Sequence, residues 1–283
     1  MLKQRVITAF IMLAIVLPTL LCTASWPFCV LALVFIAAGA WEWARLNGLQ
    51  AASAVYFSLL FATLASLSWY LGWIDQPLPM VWIFASGFWV LISTWLLITG
   101  VVGWLKIPAS LRQIGGMLAL WLAWLAVAQI RVQGINFLMS VLALVWVADS
   151  FAYFVGRTVG GKFFTNKLAP TISPGKSWEG VCGGVVGVFL LAGTWVCADS
   201  HWHNTVASLY TRLHSQNLIL MAIALLFLVA MSVVGDLIES LIKRSAGVKD
   251  SSGLLPGHGG VLDRIDALLP TLPIAMMLAA LVN

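Results

Sequence analysis

Acidic side chains within apolar stretches are the first residues of this sequence that could do chemistry. Seven of the ten acids lie in or beside such stretches in the second half of the chain: Asp149, Glu179, Asp236, Glu239, Asp250, Asp263 and Asp266. A carboxylate at membrane depth is costly and usually marks a functional site. Asp263 and Asp266 share a helical face. Placed opposite Asp236, they would suit Mg²⁺, which keeps waters and substrate phosphates in its shell.

Other interpretations of these charges stay open at this point. Acids at the start of a helix are also stabilised by the helix dipole, which would account for Asp263 and Asp266 if they stood alone. One face of the preceding helical segment combines Asp236, Glu239, Ser240 and Lys243. A simple i,i+4 ion pair would explain Glu239 and Lys243 but leaves Asp236 unexplained.

Two stretches between apolar segments could bind phosphate. The first, 245–261, holds Lys249-Asp250 and a glycine-rich segment with His258, Gly259 and Gly260. Glycines allow several backbone N–H groups to point into a common cavity, a geometry that binds phosphate. The second, 157–179, carries four cations, Arg157, Lys162, Lys167 and Lys176. It also contains the compact run Ser173-Pro-Gly-Lys-Ser177.

The run Gly175-Lys176-Ser177 is similar to the end of a P-loop, but the first glycine of that motif would fall on Pro170 and no strand precedes it. A P-loop is therefore excluded. Carboxylates, cations and a glycine-rich loop at one membrane face favour phosphoryl or nucleotidyl transfer onto a lipid phosphate. Such transfer needs positioning and charge neutralisation more than an enzymic nucleophile.

The elements that must position these residues are transmembrane helices. Of the 283 residues, 61% are hydrophobic and 9% are charged, against about 25% charged in soluble domains. This excludes a soluble enzyme, a secreted disulfide scaffold and a disordered chain. Nine segments are long enough to cross a bilayer, so we expect an all-α, polytopic integral membrane protein. They run over about 6–24, 26–45, 52–72, 79–98, 113–130, 135–156, 180–198, 217–242 and 262–282.

Lysine and arginine predict the orientation. With a cytoplasmic N-terminus, thirteen of the fifteen basic residues fall on the cytoplasmic side and only Arg131 and Arg212 on the other. This is a strong positive-inside signal, and it places the C-terminus in the periplasm. Residues 1–140 hold 8 of the 25 charges and residues 141–283 hold 17. The helices of 1–130 are therefore interpreted as a membrane scaffold, and 131–283 as the catalytic region with its loops 157–179 and 245–261.

Two further groups of residues have ordinary explanations. The end of the second segment, Trp41 to Arg45, is interpreted as an interfacial aromatic belt with a snorkelling arginine. His201 and His203 could bind a metal, but a solvated outer loop is the favoured explanation.

The charged motifs together resemble a known signature. Ser240-Leu-Ile-Lys-Arg244, then Lys249-Asp250, then Leu255-Pro-Gly-His-Gly-Gly-Val-Leu-Asp-Arg-Ile-Asp266 is similar to the signature of the phosphatidate cytidylyltransferases, or CDP-diacylglycerol synthases. Asp149-Ser150 with Tyr153, the 156–162 stretch and the run from Ser173 to Gly180 are similar to upstream elements of that family. The resemblance is close in the C-terminal half, whereas the N-terminal half matches only in size and hydropathy.

The resemblance implies a multi-pass enzyme of the bacterial inner membrane whose active site faces the cytoplasm. It implies conversion of CTP and phosphatidate to CDP-diacylglycerol and pyrophosphate, in phospholipid biosynthesis, with Mg²⁺ and possibly K⁺ or another second cation. A homodimer is expected, and nucleic acid is not an expected partner.

The resemblance also implies roles for particular residues. The implied metal ligands are Asp236 and Asp263, supported by Asp266 and Asp149. The implied catalytic residues are Asp236, Lys243, Arg244, Lys249, Asp250, His258, Asp263 and Arg264. The implied substrate-binding residues are Ser173, Lys176, Ser177, Glu179, Ser240, Gly259 and Gly260.

Three alternatives remain open. A polyprenyl-phosphate sugar transferase would satisfy the same charge logic and is disfavoured only by the signature. A relative with the same motif could use another nucleotide or lipid. An ion-coupled transporter would spread its acids across the bilayer, whereas these crowd one face. A CDP-alcohol phosphotransferase is excluded because its Asp-Gly-x-x-Ala-Arg pattern is absent.

Overall fold

A computed structural model describes residues 2–202 and 205–282, and this part of the chain is built from helices. It contains nine helical segments long and apolar enough to cross a membrane, the last running over Leu262–Val282, which confirms the expected all-α polytopic fold. The helices are α1 (Leu2–Leu21), α2 (Trp26–Leu46), α3 (Ala51–Tyr70), α4 (Pro79–Lys106), α5 (Ala109–Gln133), α6 (Ile135–Val159), α7 (Trp178–Trp202), α8 (Leu209–Gln216), α9 (Leu218–Ser245), α10 (Leu262–Ile265) and α11 (Leu268–Val282).

The predicted spans differ from the observed helices in three places. Helix α4 continues past residue 98 to Lys106, bending at Gly100, whose φ of 65° and ψ of −159° are not helical. The short α8 was not among the predicted spans, because eight residues are too few to cross the hydrocarbon core. The last span is divided into α10 and α11 at Asp266. His203 lies outside the described residues, so the histidine pair cannot be placed.

Helices α6 and α7 pack closely through glycines. A Cβ added at Gly180 or Gly184 would lie 2.9 Å from the carbonyl oxygen of Ala152 or Ala148. Small residues at every fourth position let two transmembrane backbones approach in this way. Ala148, which precedes Asp149 in α6, therefore lies against Gly184 in the second turn of α7.

Helix α9 meets the α10–α11 junction through another glycine. A Cβ at Gly235 would lie 2.5 Å from the carbonyl oxygen of Asp266, so only a residue without a side chain permits this contact. Because Asp236 follows Gly235, the contact brings Asp236 and Asp266 to the same level of the bundle.

Two long loops meet at one end of the bundle. We call residues 160–177 the upstream loop and residues 246–261 the downstream loop. Arg244, at the end of α9, donates from Nε to the carbonyl oxygen of Ile172 at 3.4 Å. The first turns of α1 lie at this end too, since Thr8 Oγ1 donates to the carbonyl oxygen of Pro256 at 2.9 Å.

The opposite end is closed by polar side chains that bind the short connections. Gln129 Nε2 donates to the carbonyl oxygens of Trp73 and Gln76, at 2.6 and 2.9 Å. Arg131 Nη2 donates to the carbonyl oxygen of Leu20 at 3.3 Å, and Arg212 Nη1 to Gln133 Oε1 at 3.0 Å. The two basic residues that the charge pattern assigned to the outer side are therefore both at this end.

Candidate active site

A polar cavity of about 430 Å³ opens between α6, α7, α9 and α10 at the end where the two loops meet. All four predicted metal ligands line it, together with the basic residues of three elements. Its charged lining is Asp149, Arg157, Lys176, Asp236, Asp263, Arg264 and Asp266. Residues spread over 118 positions of sequence therefore share one cavity, to which the upstream loop contributes Lys176 and the downstream loop contributes no residue.

Asp236 and Lys176 form the central ion pair of the cavity. Lys176 Nζ lies 2.7 Å from Asp236 Oδ2, and both side chains keep part of their surface accessible, 23% and 35%. Ser240 Oγ donates to the other oxygen, Oδ1, at 3.2 Å, and Lys176 Nζ also donates to the carbonyl oxygen of Val233 at 3.4 Å. The pair thus ties the upstream loop to α9 and keeps a cation and a carboxylate side by side at the cavity surface.

Lys243 lies deeper, between two carboxylates. Its Nζ is 2.6 Å from Asp263 Oδ1 and also pairs with Glu239 of the same helix. Glu239 is only 3% exposed, so its charge requires the lysine as a partner. The i,i+4 pairing of Glu239 with Lys243, one of the interpretations open from the sequence, is therefore present, and Asp263 joins it from α10.

Asp263 binds the downstream loop. Its Oδ2 accepts from the backbone N–H of Ser251 at 3.0 Å, from Ser251 Oγ at 2.9 Å and from the backbone N–H of Gly260 at 2.8 Å. Gly259 has a φ of +84°, and a Cβ there would lie 2.8 Å from Oδ2. Both oxygens of Asp263 therefore already have donors within the protein.

The glycine-rich segment lies outside the cavity lining. His258, Gly259 and Gly260 do not line the cavity, and the loop amides of Ser251 and Gly260 bind the carboxylate of Asp263. His258 contributes its carbonyl oxygen, which accepts from Arg264 Nη2 at 2.8 Å. The anion that these amides hold in the described arrangement is thus a side chain of the protein.

Glu42 is a site-supporting residue that the sequence analysis missed. It is fully buried and accepts from the backbone N–H groups of Val261 and Leu262 at 2.9 and 2.6 Å. The Ser252 hydroxyl also donates to it, and the Ser251 hydroxyl lies within hydrogen-bond distance of both Glu42 and Asp263, at 3.1 and 2.9 Å. The aromatic-belt interpretation was wrong for this residue and for Trp43, which is buried with its Nε1 donating to the carbonyl oxygen of Arg112. A carboxylate within an apolar helix was the available signal.

Glu179 also supports a loop. It is 4% exposed, and its Oε1 accepts from the backbone N–H groups of Gly161, Phe163 and Phe164 at 2.9 to 3.0 Å. It does not line the cavity. Ser177 does line it and accepts from the N–H of Gly180 at 3.2 Å.

The remaining predicted residues lie around the cavity. Ser173 is in a tight turn, where its N–H donates to the carbonyl oxygen of Ala169. Arg244 is exposed, and so are Lys249 and Asp250 of the downstream loop. These four residues do not line the cavity in the described arrangement.

The carboxylates of the cavity can supply part of the ligand shell of a metal ion. Within the described residues, no three histidine, cysteine or acidic side chains come close enough to hold a metal by themselves. Mg²⁺ is commonly bound by one or two carboxylates, with waters and substrate phosphates completing its shell. Asp236, Asp266 and Asp149 lie around one polar cavity and interact electrostatically with one another, so this donor set fits such an ion.

A bundle of transmembrane helices with a carboxylate- and lysine-lined cavity at one end defines a membrane-embedded protein that can bind charged groups. The particular family is shown by comparison with known proteins. The chain belongs to the cytidylyltransferase family, whose model matches residues 3–282, and is therefore a nucleotidyltransferase.

Two relatives match along nearly their whole length. The chain is 37% identical over 282 residues to the phosphatidate cytidylyltransferase of Pseudomonas aeruginosa, covering 97% of this chain and 95% of that protein. It is 36% identical over 294 residues to that of Haemophilus influenzae, covering 96% of each. The protein of the same name from Bacillus subtilis is 39% identical over 148 residues, 52% of this chain and 49% of that protein.

Proposed function

We propose that this protein transfers the cytidylyl group of CTP to phosphatidate, giving CDP-diacylglycerol and pyrophosphate. The family and the names of the full-length relatives support this reaction. The observation that carries the proposal is the cavity itself, where the Asp236–Lys176 pair lies beside Asp149, Asp266 and Arg264. Positive charge for phosphates and carboxylates for a cation are thus available in one place.

In the proposed reaction, a phosphate oxygen of phosphatidate attacks the α-phosphorus of CTP in line with the bond to the β-phosphate. The new P–O bond forms as the α–β bridging P–O bond breaks, and pyrophosphate leaves with that electron pair. A phosphate monoester is already largely ionised at pH 7, so no strong general base is required. The position of the His258 imidazole outside the cavity lining agrees with this.

The residues around the cavity have distinct proposed tasks. Lys176, Arg157 and Arg264 bind phosphate oxygens, because each is a cation in the cavity wall. Asp236, with Asp266 and Asp149, would hold Mg²⁺, which supplies charge neutralisation on the triphosphate. Asp263, Lys243 and Glu239 form a buried network that fixes the downstream loop. A second cation such as K⁺ and a homodimer belong to the same proposal through the family resemblance.

Release of pyrophosphate by the purified, detergent-solubilised protein tests the reaction. With phosphatidate and Mg²⁺ present, we expect release with CTP and none with UTP, ATP or GTP. Release should also require phosphatidate and stop when the metal is removed with EDTA. Release with another nucleotide would contradict the proposed specificity, and no release from folded protein would contradict the reaction. A separate assay with a polyprenyl phosphate and a nucleotide sugar tests the sugar-transferase alternative, which would release a nucleoside mono- or diphosphate instead of pyrophosphate.

We also propose that the protein lies in the bacterial inner membrane with this cavity facing the cytoplasm. Of the fifteen basic residues, only Arg131 and Arg212 fall on the side assigned to the periplasm, and both lie at the end opposite the cavity. A positive excess on one side is the usual signature of the cytoplasmic face.

Cysteine labelling tests this orientation. Thr205 and Asn166 are both exposed and belong to opposite ends of the bundle. In a chain whose four cysteines are replaced by serine, Thr205→Cys should react with an impermeant maleimide on intact spheroplasts. Asn166→Cys should react only after the membrane is opened. The reverse pattern would overturn the orientation.

A further inference from the structure

An apolar chamber of about 490 Å³ lies next to the polar cavity and takes no part in the mechanism above. We define the side chamber by its lining from α4, the upstream loop, α7 and α9: Leu97, Leu168, Ala169, Pro170, Thr171, Ile172, Trp178, Val181, Ala230, Val233, Val234 and Leu237. Val181 and Val233 line the polar cavity as well, so the two spaces share a wall.

The wall of the side chamber on α9 runs into the membrane. The chamber residues on α9 follow one another at helical spacing: Ala230, then Val233 and Val234, then Leu237. Seven residues of helix extend over about 10 Å. Asp236 lies at the loop end of this stripe, whereas Ala230 lies near the middle of α9. A molecule that fills both spaces therefore needs a charged group at Lys176 and an apolar part directed toward the bilayer centre.

Residues 168–172 of the upstream loop form one wall of the side chamber. Leu168 N–H donates to the carbonyl oxygen of Lys176 at 3.3 Å, and Ile172 N–H to that of Ala169 at 3.2 Å. The hydrogen bond from Arg244 to the carbonyl oxygen of Ile172 connects this segment to the end of α9. The same short segment therefore closes the chamber and presents Lys176 to the polar cavity.

We infer that the side chamber binds an acyl chain of the lipid substrate, with the lipid phosphate at Lys176. This inference rests on the proposed function and names the part of the same site that selects the lipid. The lining side chains carry two polar groups, the Thr171 hydroxyl and the Trp178 indole N–H, and are otherwise hydrocarbon, which suits a hydrocarbon chain and offers little to a nucleoside. Lipid tails are as apolar as the protein wall, so the chamber contributes mainly by fixing the position of the phosphate.

Filling the chamber tests this inference. Ala230 is exposed to the chamber, so Ala230→Trp occupies it without crowding the buried core. In Ala230→Trp we expect kcat/KM for dioleoyl phosphatidate to fall about tenfold or more, while KM for CTP is unchanged. For Ala230→Leu, kcat/KM for phosphatidate should lie between the wild-type and Ala230→Trp values. Ile223→Trp is the matched control, since Ile223 is exposed two turns earlier on the same helix face and does not line the chamber. Equal kcat/KM values for Ala230→Trp and Ile223→Trp would overturn the inference.

A second measurement needs no turnover. Phosphatidate with a diazirine in one acyl chain should label peptides containing 168–172 or 230–237 in the wild-type protein, and much less in Ala230→Trp. Labelling confined to other helices would overturn the inference. Chamber labelling of a protein that shows no CTP-dependent turnover would support the lipid site while contradicting the proposed reaction, so the two failures are distinguishable.

Discussion

Asp236→Asn is expected to lower kcat for CTP-dependent pyrophosphate release about a thousandfold. Asparagine keeps the shape of the side chain and can still accept from Ser240, but it removes the charge that faces Lys176 at 2.7 Å. It also removes one of the carboxylates that we propose hold Mg²⁺ in this cavity. Activity should be measured at saturating Mg²⁺, with gel filtration and thermal unfolding showing that the variant is folded.

Two comparisons separate the roles of Asp236. Asp75→Asn is the matched control, because Asp75 is exposed at the opposite end of the bundle and its loss should leave kcat unchanged. If Asp236 acts only by placing Lys176, then Lys176→Met and the double variant should cost as much as Asp236→Asn. If it also binds the metal, the double variant should be slower than either, and Asp236→Asn should need more Mg²⁺ for half-maximal activity. Near wild-type kcat in Asp236→Asn would contradict both roles.

Glu42→Gln is expected to destabilise the protein by about 3 kcal/mol and to lower kcat about a hundredfold. The buried carboxylate accepts from the backbone N–H groups of Val261 and Leu262, one on each oxygen, and from the Ser252 hydroxyl, and it shares the hydroxyl proton of Ser251 with Asp263. An amide can accept on one oxygen only, so its NH₂ group would face a backbone N–H that has no other acceptor. The loop that Asp263 also holds would then lose its attachment to α2.

Thermal unfolding in detergent and kcat should therefore change together in this variant. Arg45→Ala provides the matched control, because Arg45 is exposed one turn further along α2 and contacts the ring of Trp41 rather than the loop. A Glu42→Gln protein with wild-type melting temperature and activity would mean that other contacts hold the loop.

The crowding of acids near the C-terminus was enough to predict which carboxylates come together in the fold. Asp149, Asp236, Asp263 and Asp266 do line one cavity, and Lys176 reaches it from the upstream loop. The clustering of these residues was predictable because a charge in an apolar helix is costly, so its position in the sequence is informative by itself. The nine spans were predictable for a similar reason, since crossing the hydrocarbon core requires a minimum apolar length.

Which charged residues bind loop amides and which face the cavity was not predictable from the sequence. Sequence spacing does not show that Asp263 and Glu42 bind loop amides while Asp236 faces the cavity. The residues next to each acid in the sequence are compatible with either role. Glu42 and Leu262 are 220 residues apart and meet only when α2 packs against α10. The glycines that were expected to bind phosphate are turned toward Asp263 by the fold of the downstream loop.

The sequence by itself therefore determined the membrane class, the number of spans, the face that carries the charges and the family signature. These properties follow from local composition, which is fixed before any helix packs. Only the tertiary structure decided which carboxylates hold loops, which line the cavity and that an apolar chamber adjoins it. Those properties depend on contacts between distant segments, such as Gly235 against Asp266, and distant contacts leave no periodic trace in the sequence.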